Sequence, residues 1–249
     1  MLDTSQMVWL IGSAFLGGIV DAIAGGGGLL TIPALLSVGI PPAMAIGTNK
    51  LQAIIGSATT SYQFVKNGNI NPKRLFPLMI AAFVGAVLGG FTISYLDNQL
   101  LKSIMPYILV LIALYFLFSS KLTSNVTTKQ RMSMTIFCFS IGPLIGWYDG
   151  FLGPGTGSFL IAAFVGLLGF GLMEATMSSK LLNFATNLAA LIILASAGKV
   201  LWSIGFLMMI GQFLGALIGV KLIFLKGNKL IRPMIVIICI VMAVKLAFF

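Results

Sequence analysis

Residues 25–33 read GGGGLLTIP and residues 153–160 read GPGTGSFL, and each stretch follows a lone aspartate, Asp21 or Asp149, within apolar sequence. Glycine lets the backbone leave helical geometry. At membrane depth, the polar backbone groups that this frees must be buried in protein or line a cavity. The two motifs therefore predict broken helices at corresponding places in two halves of a membrane protein, a pattern typical of a binding site near the midplane.

The composition indicates the same class of protein. Of the 249 residues, 59% are hydrophobic and 8% are charged, whereas about 25% of residues are charged in a typical soluble domain. Apolar stretches of about 16 to 25 residues recur along the chain, long enough to cross a hydrocarbon core about 30 Å thick. We predict an all-α polytopic membrane protein with roughly 8–10 transmembrane segments, including short or broken helices after the glycine motifs. The first segment, 7–24, lacks the features of a cleaved signal peptide.

The charged and reactive residues narrow the range of functions. The net charge of +10 comes mostly from Lys and Arg in short loops, which positive-inside topology explains, so we expect a lipid bilayer and no nucleic acid as partner. Cys138 and Cys239 lie far apart, without metal-ligand spacing. The chain has no histidine, which excludes a histidine-dependent membrane enzyme. We therefore expect no metal, no cofactor and no enzyme activity.

The sequence contains an internal repeat. With a shift of 130 residues, TNKL at 48–51 falls on SSKL at 178–181, and NGNI at 67–70 falls on AGKV at 197–200. The two aspartates before the glycine motifs match at a shift of 128. We predict a first transmembrane repeat at 1–120, a polar cytoplasmic linker at 121–131 and a second transmembrane repeat at 132–249.

Each repeat contains five apolar elements, so the odd number predicts that the two repeats lie inverted in the membrane. The loop at 66–74 is more basic than its counterpart at 196–202, and the bias reverses in the next pair of loops. Placing the basic loops in the cytoplasm leaves both termini outside. The second element of each repeat is short, so eight full crossings are also possible. The predicted elements are 7–24, 29–39, 43–65, 74–95, 100–119, 132–148, 158–171, 173–196, 201–225 and 232–249.

Two lysines are candidates for binding an anion. Lys50 and Lys180 each lie about eight residues inside a helix, beside small polar residues. A lysine at that depth predicts a functional site, although its long side chain could instead extend to the interface. Helix N-terminal N–H groups at Leu29 and Phe159 would add donors for an anion, while the alternative for the glycines is close helix packing. The candidate substrate-binding residues are Gly25, Gly26, Gly27, Gly28, Thr48, Asn49, Lys50, Gly153, Gly155, Thr156, Gly157, Ser158, Ser178, Ser179 and Lys180.

The two aspartates admit two roles. Asp21 and Asp149 either pair with the lysines and stabilise their buried charge, or carry a coupling ion, a proton or sodium. Second-tier candidates lie farther along the lysine helices, at Ser57, Asn183 and Asn187. Small residues at four-residue spacing, Ala81/Gly85/Gly89 and Gly211/Gly215/Gly219, predict helix packing within one chain or in a homodimer.

These motifs also resemble a known family. AGGGGLLTIP followed by GIPPAMAIGTNKL, with YDGFLGPGTGSFL and SSKLLNFATN in the second half, resembles the sulfite exporter TauE/SafE family, also described as an uptake permease family for aromatic sulfonates. The resemblance covers essentially the whole chain. The first motif of that family often carries a fifth glycine, where this chain has four. The matching positions are Asp21, Gly25 to Gly28, Thr48, Asn49, Lys50, Asp149, Gly153, Pro154, Gly155, Thr156, Gly157, Ser178, Ser179 and Lys180.

The resemblance implies secondary transport of small sulfur-containing or organic anions, such as sulfite, thiosulfate, sulfoacetate or sulfonates, across a bacterial inner membrane. The inverted repeats favour alternating access, with one bundle rocking against the other. A passive anion channel is the alternative, and it would show no dependence on a counter-ion gradient. A membrane enzyme is a further alternative, but without histidine or clustered cysteines the sequence offers no catalytic set.

Overall fold

The computed structural model describes residues 3–101, 103, 107 and 130–227, and within these ranges every regular element is helical. The predicted elements at 100–119 and 232–249 and the linker at 121–131 lie almost wholly outside the described residues. The all-α prediction is therefore confirmed for the described part of the chain. The helices are α1 Thr4–Ala24, α2 Gly28–Ser37, α3 Pro42–Lys66, α4 Pro72–Tyr95, α5 Met134–Phe139, α6 Ile141–Phe151, α7 Thr156–Ala163 with a π-helical turn Phe164–Leu168, α8 Leu172–Ser196 and α9 Trp202–Lys226.

Helix length and composition confirm a multi-pass membrane protein. Among the described helices, α1, α4, α8 and α9 are each long and apolar enough to cross a bilayer. Helix α3 is as long as α8, at 25 residues, but carries more polar side chains. Helix α2 has 10 residues, which span about 15 Å, or half of the hydrocarbon core. The helical part of the second element therefore covers only about half of a full crossing.

Local sequence explains most helix boundaries. The side chain of Asp3 accepts a hydrogen bond from the Gln6 backbone N–H, and the Gln6 side chain caps the Asp3 N–H in return. Proline occupies the first helical position of α3 and of α4, where its missing N–H would have no helical partner. At its other end α1 stops at Gly25, whose φ is 77°. These caps agree with the predicted boundaries to within a few residues.

Two of the differences from the predicted boundaries have a clear local cause. The element predicted at 132–148 is two helices, α5 and α6, separated at Ser140. The reason is Pro143, which offers no N–H to the carbonyl of Phe139 and whose ring disfavours a continuous helix there. Helix α7 starts at Thr156 rather than at the predicted 158, because the last residue with a positive φ in the motif is Gly155.

The stripes of small residues pack helices together within the chain. A Cβ added at Gly215 of α9 would overlap the Phe15 carbonyl of α1, and one added at Gly89 of α4 would overlap the Trp147 carbonyl of α6. The first predicted element of each half thus packs against the fourth predicted element of the other half. The structure confirms that these stripes mediate intramolecular packing, while the inverted orientation of the halves remains a prediction.

Helices α3 and α8 contain most of the buried polar side chains. The two helices pack against each other, and they also contact α9 and α4, respectively. Lys50 lies eight residues after the start of α3 at Pro42, and Lys180 lies eight residues after the start of α8 at Leu172. Both lysines are therefore at the same depth in corresponding helices, and the rest of the site is arranged around them.

Candidate functional site

The two glycine motifs contact each other directly. A Cβ added at Gly25 would overlap the backbone of Gly157, and one added at Gly157 would overlap Gly25. The Ser158 hydroxyl donates a hydrogen bond of 2.5 Å to the carbonyl of Ala24, the last residue of α1. Because only glycine allows this approach, the contact explains why both motifs need glycine and holds the breaks of the two halves together.

Each buried lysine pairs with the aspartate of the opposite half. The Nζ of Lys50 donates to Oδ1 of Asp149 at 2.8 Å. The Nζ of Lys180 donates to the main-chain carbonyl of Asp21 and lies 4.0 Å from its Oδ2. The two lysines are 1% and 0% exposed. The alternative, in which each long side chain extends to the interface, requires an ammonium at the protein surface. Neither lysine reaches the surface, so the structure does not support that alternative.

Asp149 has one satisfied and one unsatisfied carboxylate oxygen. Its Oδ1 accepts hydrogen bonds from Lys50 and, at 2.7 Å, from the Thr156 hydroxyl. Its Oδ2 is buried and accepts no hydrogen bond from the described residues. Buried polar atoms are normally hydrogen-bonded. Oδ2 is thus a buried acceptor that no described donor satisfies.

The GPGTGS motif is held in one shape around this pair. The Thr156 hydroxyl also contacts the Gly153 carbonyl at 2.8 Å, and the Tyr148 hydroxyl donates to the Pro154 carbonyl at 2.5 Å. A Cβ added at Gly153, whose φ is 90°, would lie 2.6 Å from the Nζ of Lys50. Gly153 therefore provides the space that the Lys50 ammonium occupies.

Asn49 points an amide N–H group at the start of α2. Its Oδ1 accepts hydrogen bonds from the Thr31 hydroxyl at 2.5 Å and from Gln52 Nε2 at 2.8 Å. Its Nδ2 lies 3.5 Å from the position of a Cβ added at Gly28, which would also lie 3.5 Å from the Cα of Pro154. The amide donor, the N-terminus of α2 and the second glycine motif therefore converge on one place.

The TNK and SSK sequences differ in their surroundings. The Thr48 hydroxyl accepts a hydrogen bond of 3.0 Å from the N–H of Leu201. A Cβ added at the preceding residue, Gly47, would overlap the Lys199 carbonyl, so the 199–201 loop packs tightly on this end of α3. The equivalent residue of the second half, Ser178, instead lines a cavity of about 280 Å³ formed with the 68–71 loop. The Ser179 hydroxyl bonds to the Thr176 carbonyl of its own helix.

The hydrogen bonds described for the second-tier candidates stay within their own helices. Ser57 donates to carbonyls of its own helix, at Ala53 and Ile54. Asn187 donates to the carbonyl and the side chain of Asn183. Seven residues of helix separate Ser57 from Lys50, a distance of about 10 Å along the axis. Asn187 likewise lies seven residues beyond Lys180, whereas Asn183 lies only three residues, or about 5 Å along the axis, beyond it.

Sequence reasoning missed several buried polar residues, among them Thr31, Gln52 and Gln212. Each of these three is at most 1% exposed. Gln212 of α9 packs against Gly56, and its Oε1 lies 3.6 Å from the position of a Cβ at Gly17. The equivalent positions of the other half carry apolar residues, so a search for repeated residues could not find them. The sequence signal that could have identified these three residues is a polar side chain within an apolar segment.

Buried lysine–aspartate pairs lie at the meeting point of two broken helices, in a bundle with several membrane spans. This arrangement is typical of a multi-pass α-helical membrane transporter. The sequence comparison agrees. The chain belongs to the family described as Sulfite exporter TauE/SafE, which matches residues 10–246. The resemblance identified from the motifs is therefore confirmed.

Several relatives resemble the chain along nearly its whole length. A "Probable membrane transporter protein" of Haemophilus influenzae is 43% identical over 247 residues, covering 99% of this chain and 96% of that protein. "Probable membrane transporter protein ORF9" of Sinorhizobium sp is 42% identical, over 96% of this chain and 92% of that protein. "Probable membrane transporter protein YfcA" of Escherichia coli K12 is 44% identical, over 94% and 87%. No solved structure matches the chain significantly.

Proposed function

We propose that the chain is a secondary active transporter of a small oxyanion, such as sulfite, thiosulfate, sulfoacetate or another sulfonate. The observation that carries this proposal is the burial of Lys50 and Lys180 beside the contact between the two glycine motifs. Positive charge combined with N–H and hydroxyl donors selects an anion. The family description, Sulfite exporter TauE/SafE, supports a sulfur oxyanion.

Competition for the lysines provides a route to ion coupling. Asp149 occupies the position on Lys50 that an incoming oxyanion would take. A proton on Asp149 would remove its charge and free the Lys50 ammonium for the anion, so that proton and anion bind together. Asp21 has the same relation to Lys180, at a longer distance of 4.0 Å. If the aspartates only stabilise the lysines, or if sodium is the coupling ion, transport would not follow a proton gradient.

The unequal ends of the two lysine helices support alternating access. The 199–201 loop is bonded to Thr48, whereas a cavity separates the equivalent loop from parts of α8 near Ser178. In the opposite state we expect the cavity at Ser178 to close and the contact at Thr48 to open. A passive channel would instead need both ends open together, which the Thr48 contact disfavours.

Membrane orientation follows from the charged loops. We propose a bacterial inner-membrane location with the basic 66–74 loop in the cytoplasm and both termini outside. The cavity beside Ser178 then faces the cytoplasm in the described state. Transport, rather than catalysis, is the activity that this arrangement of charges and donors supports.

Thermal stabilisation of the purified protein by a panel of anions tests the proposal. Sulfite, thiosulfate, sulfoacetate, sulfate, phosphate and carboxylates would be compared. A ligand at 100 times its Kd stabilises the folded state by about 2.7 kcal/mol. We expect one sulfur oxyanion to raise the melting temperature of the wild type but not of Lys180→Ala.

The matched control is Lys221→Ala, which removes one exposed positive charge from α9. This variant should keep the full anion-dependent shift. Equal shifts in all three proteins would mean that the anions act through the general positive charge. No shift with any anion would contradict the proposed substrate class.

A further inference from the structure

The cavity beside Ser178 contains an ion pair that the lysine site does not use. Arg74 and Glu174 both line it, and their side chains lie 3.4 Å apart from Nη1 to Oε1. The two side chains are 61% and 43% exposed. The Arg74 guanidinium lies over the ring of Phe170, 5.2 Å from its centroid. The ion pair therefore stands at the open end of the space that leads to Ser178.

An ion pair of this kind is easily exchanged. Exposed ion pairs contribute little to stability because water screens them and their side chains lose freedom. A guanidinium presents several N–H donors in a planar fork that suits the oxygens of a carboxylate or another oxyanion. The contact with Phe170 restricts where this fork can point. An oxyanion in solution can thus replace the Glu174 carboxylate on Arg74 without disturbing the fold.

The cavity has the size and the lining for such a ligand. Its volume of about 280 Å³ is several times the ~30 Å³ that one water molecule occupies in the liquid. Asn69 and Asn71 line it as well. The Oδ1 of Asn71 is already used, because it accepts the Lys73 backbone N–H at 3.0 Å. The remaining polar group of Asn71 is a donor, which suits an anion.

We propose that this cavity is an outer anion site, in which Arg74 holds a small oxyanion, in place of Glu174, before it reaches Lys180. The proposal rests on the proposed transport function. The cavity lies close to Lys180 along the helix axis, since Ser178 lines it and precedes Lys180 by two residues on α8, a rise of about 3 Å. Glu174 acts as the resident carboxylate that the incoming oxyanion displaces.

The outer site exists at one end of the protein. With the repeat shift, the positions equivalent to Arg74 and Glu174 are Ile204 and Met44. An isoleucine and a methionine cannot bind an oxyanion by charge. The outer site therefore affects the apparent affinity for an anion only when the anion arrives from the 66–74 loop side.

Initial rates of radiolabelled sulfite transport test this sidedness. They would be measured in inside-out and right-side-out membrane vesicles with Arg74→Gln, Arg74→Lys, Glu174→Gln and the control Lys73→Gln. Lys73 belongs to the same first turn of α4 and carries the same charge but does not line the cavity. In inside-out vesicles we expect Arg74→Gln to raise KM about tenfold, the factor for one hydrogen bond to a charged group, with kcat nearly unchanged.

The other variants complete the design. Glu174→Gln should lower KM in inside-out vesicles, because Arg74 no longer has a resident carboxylate. Arg74→Lys should give an intermediate KM, because lysine keeps the positive charge but lacks the planar fork of N–H donors of the guanidinium. Lys73→Gln should have the same KM as the wild type in inside-out vesicles. In right-side-out vesicles all four variants should have the wild-type KM.

If the wild type transports sulfite but Arg74→Gln and Lys73→Gln have the same KM, the outer site is refuted and the transport function stands. Absence of saturable wild-type transport would refute both. If Arg74→Gln does not fold, Glu174→Gln and Arg74→Lys decide the question.

Discussion

The Lys50–Asp149 pair should be the more sensitive of the two lysine–aspartate pairs. Asp149→Asn removes the negative charge 2.8 Å from an ammonium whose side chain is 1% exposed. At an effective dielectric constant of about 20, unit charges attract by roughly 6 kcal/mol at this distance and by roughly 4 kcal/mol at the 4.0 Å of Lys180 and Asp21. Removing one partner of a buried pair typically destabilises a protein by about 3–5 kcal/mol. Because asparagine keeps an oxygen for Lys50, we expect a loss of about 3 kcal/mol.

Asp21→Asn should cost less, about 1–2 kcal/mol. The Nζ of Lys180 donates to the main-chain carbonyl of Asp21, which the substitution retains, and the Asp21 side chain is 12% exposed. The assay is thermal unfolding of each purified variant in one detergent. For a protein of this size 1 kcal/mol shifts the melting temperature by about 2–4 °C. Asp149→Asn should therefore lower it by about 6–12 °C, and Asp21→Asn by clearly less.

A double variant provides the control. Lys50→Gln with Asp149→Asn removes both charges of the pair, so it leaves no uncompensated ion and should recover much of the lost stability. Equal losses for the two single aspartate variants, or a double variant no more stable than Asp149→Asn, would refute the assigned pairing.

Three other predictions concern backbone contacts, and the first two are measured by thermal unfolding. Gly25→Ala should prevent stable folding, because its Cβ would overlap the second glycine motif. The matched control is Gly39→Ala, whose φ is also positive but whose Cβ would meet no described atom within 4 Å. This control should lower the free energy of unfolding by only about 1 kcal/mol. Gly215→Ala should destabilise the packing of α1 on α9. Gly12→Ala, with no described neighbour within 4 Å, should be neutral or stabilise α1 by up to about 1 kcal/mol, because alanine favours a helix. Equal effects in either matched pair would contradict the close contacts. Thr48→Val removes the acceptor of the Leu201 N–H, so it should increase labelling of a cysteine placed at position 201, and unchanged labelling would argue against a closed end there.

The helices could be predicted from the sequence because their signals are local. Apolar length identified α1, α4, α8 and α9, and proline or glycine identified most ends. The division between α5 and α6 was missed because the apolar run 132–148 continues through Ser140, although Pro143 carried the relevant signal. Hydropathy cannot show a helix break within a uniformly apolar segment, because the break comes from the missing N–H and the ring of proline.

The candidate site could be predicted only in part. The repeat marked the lysines and aspartates, but their partners depend on how the two halves pack, so the sequence left structural pairing and ion coupling open. Gln52 and Gln212 escaped notice because their equivalents are Leu182 and Ala82. The different surroundings of Thr48 and Ser178 could not be predicted either. An internal repeat predicts the same environment for equivalent residues, whereas in one conformational state of a transporter the two environments differ.

Solute counterflow is the most direct test of the central claim, that the chain is an anion carrier with alternating access to the lysine site. Proteoliposomes loaded with unlabelled sulfite would be diluted into a trace of radiolabelled sulfite, with Lys180→Ala as the control. A carrier exchanges one anion for another, so the account predicts a transient accumulation of label above its equilibrium level, absent in the variant. Label that rises to equilibrium without an overshoot in the wild type would contradict the account and indicate a passive channel.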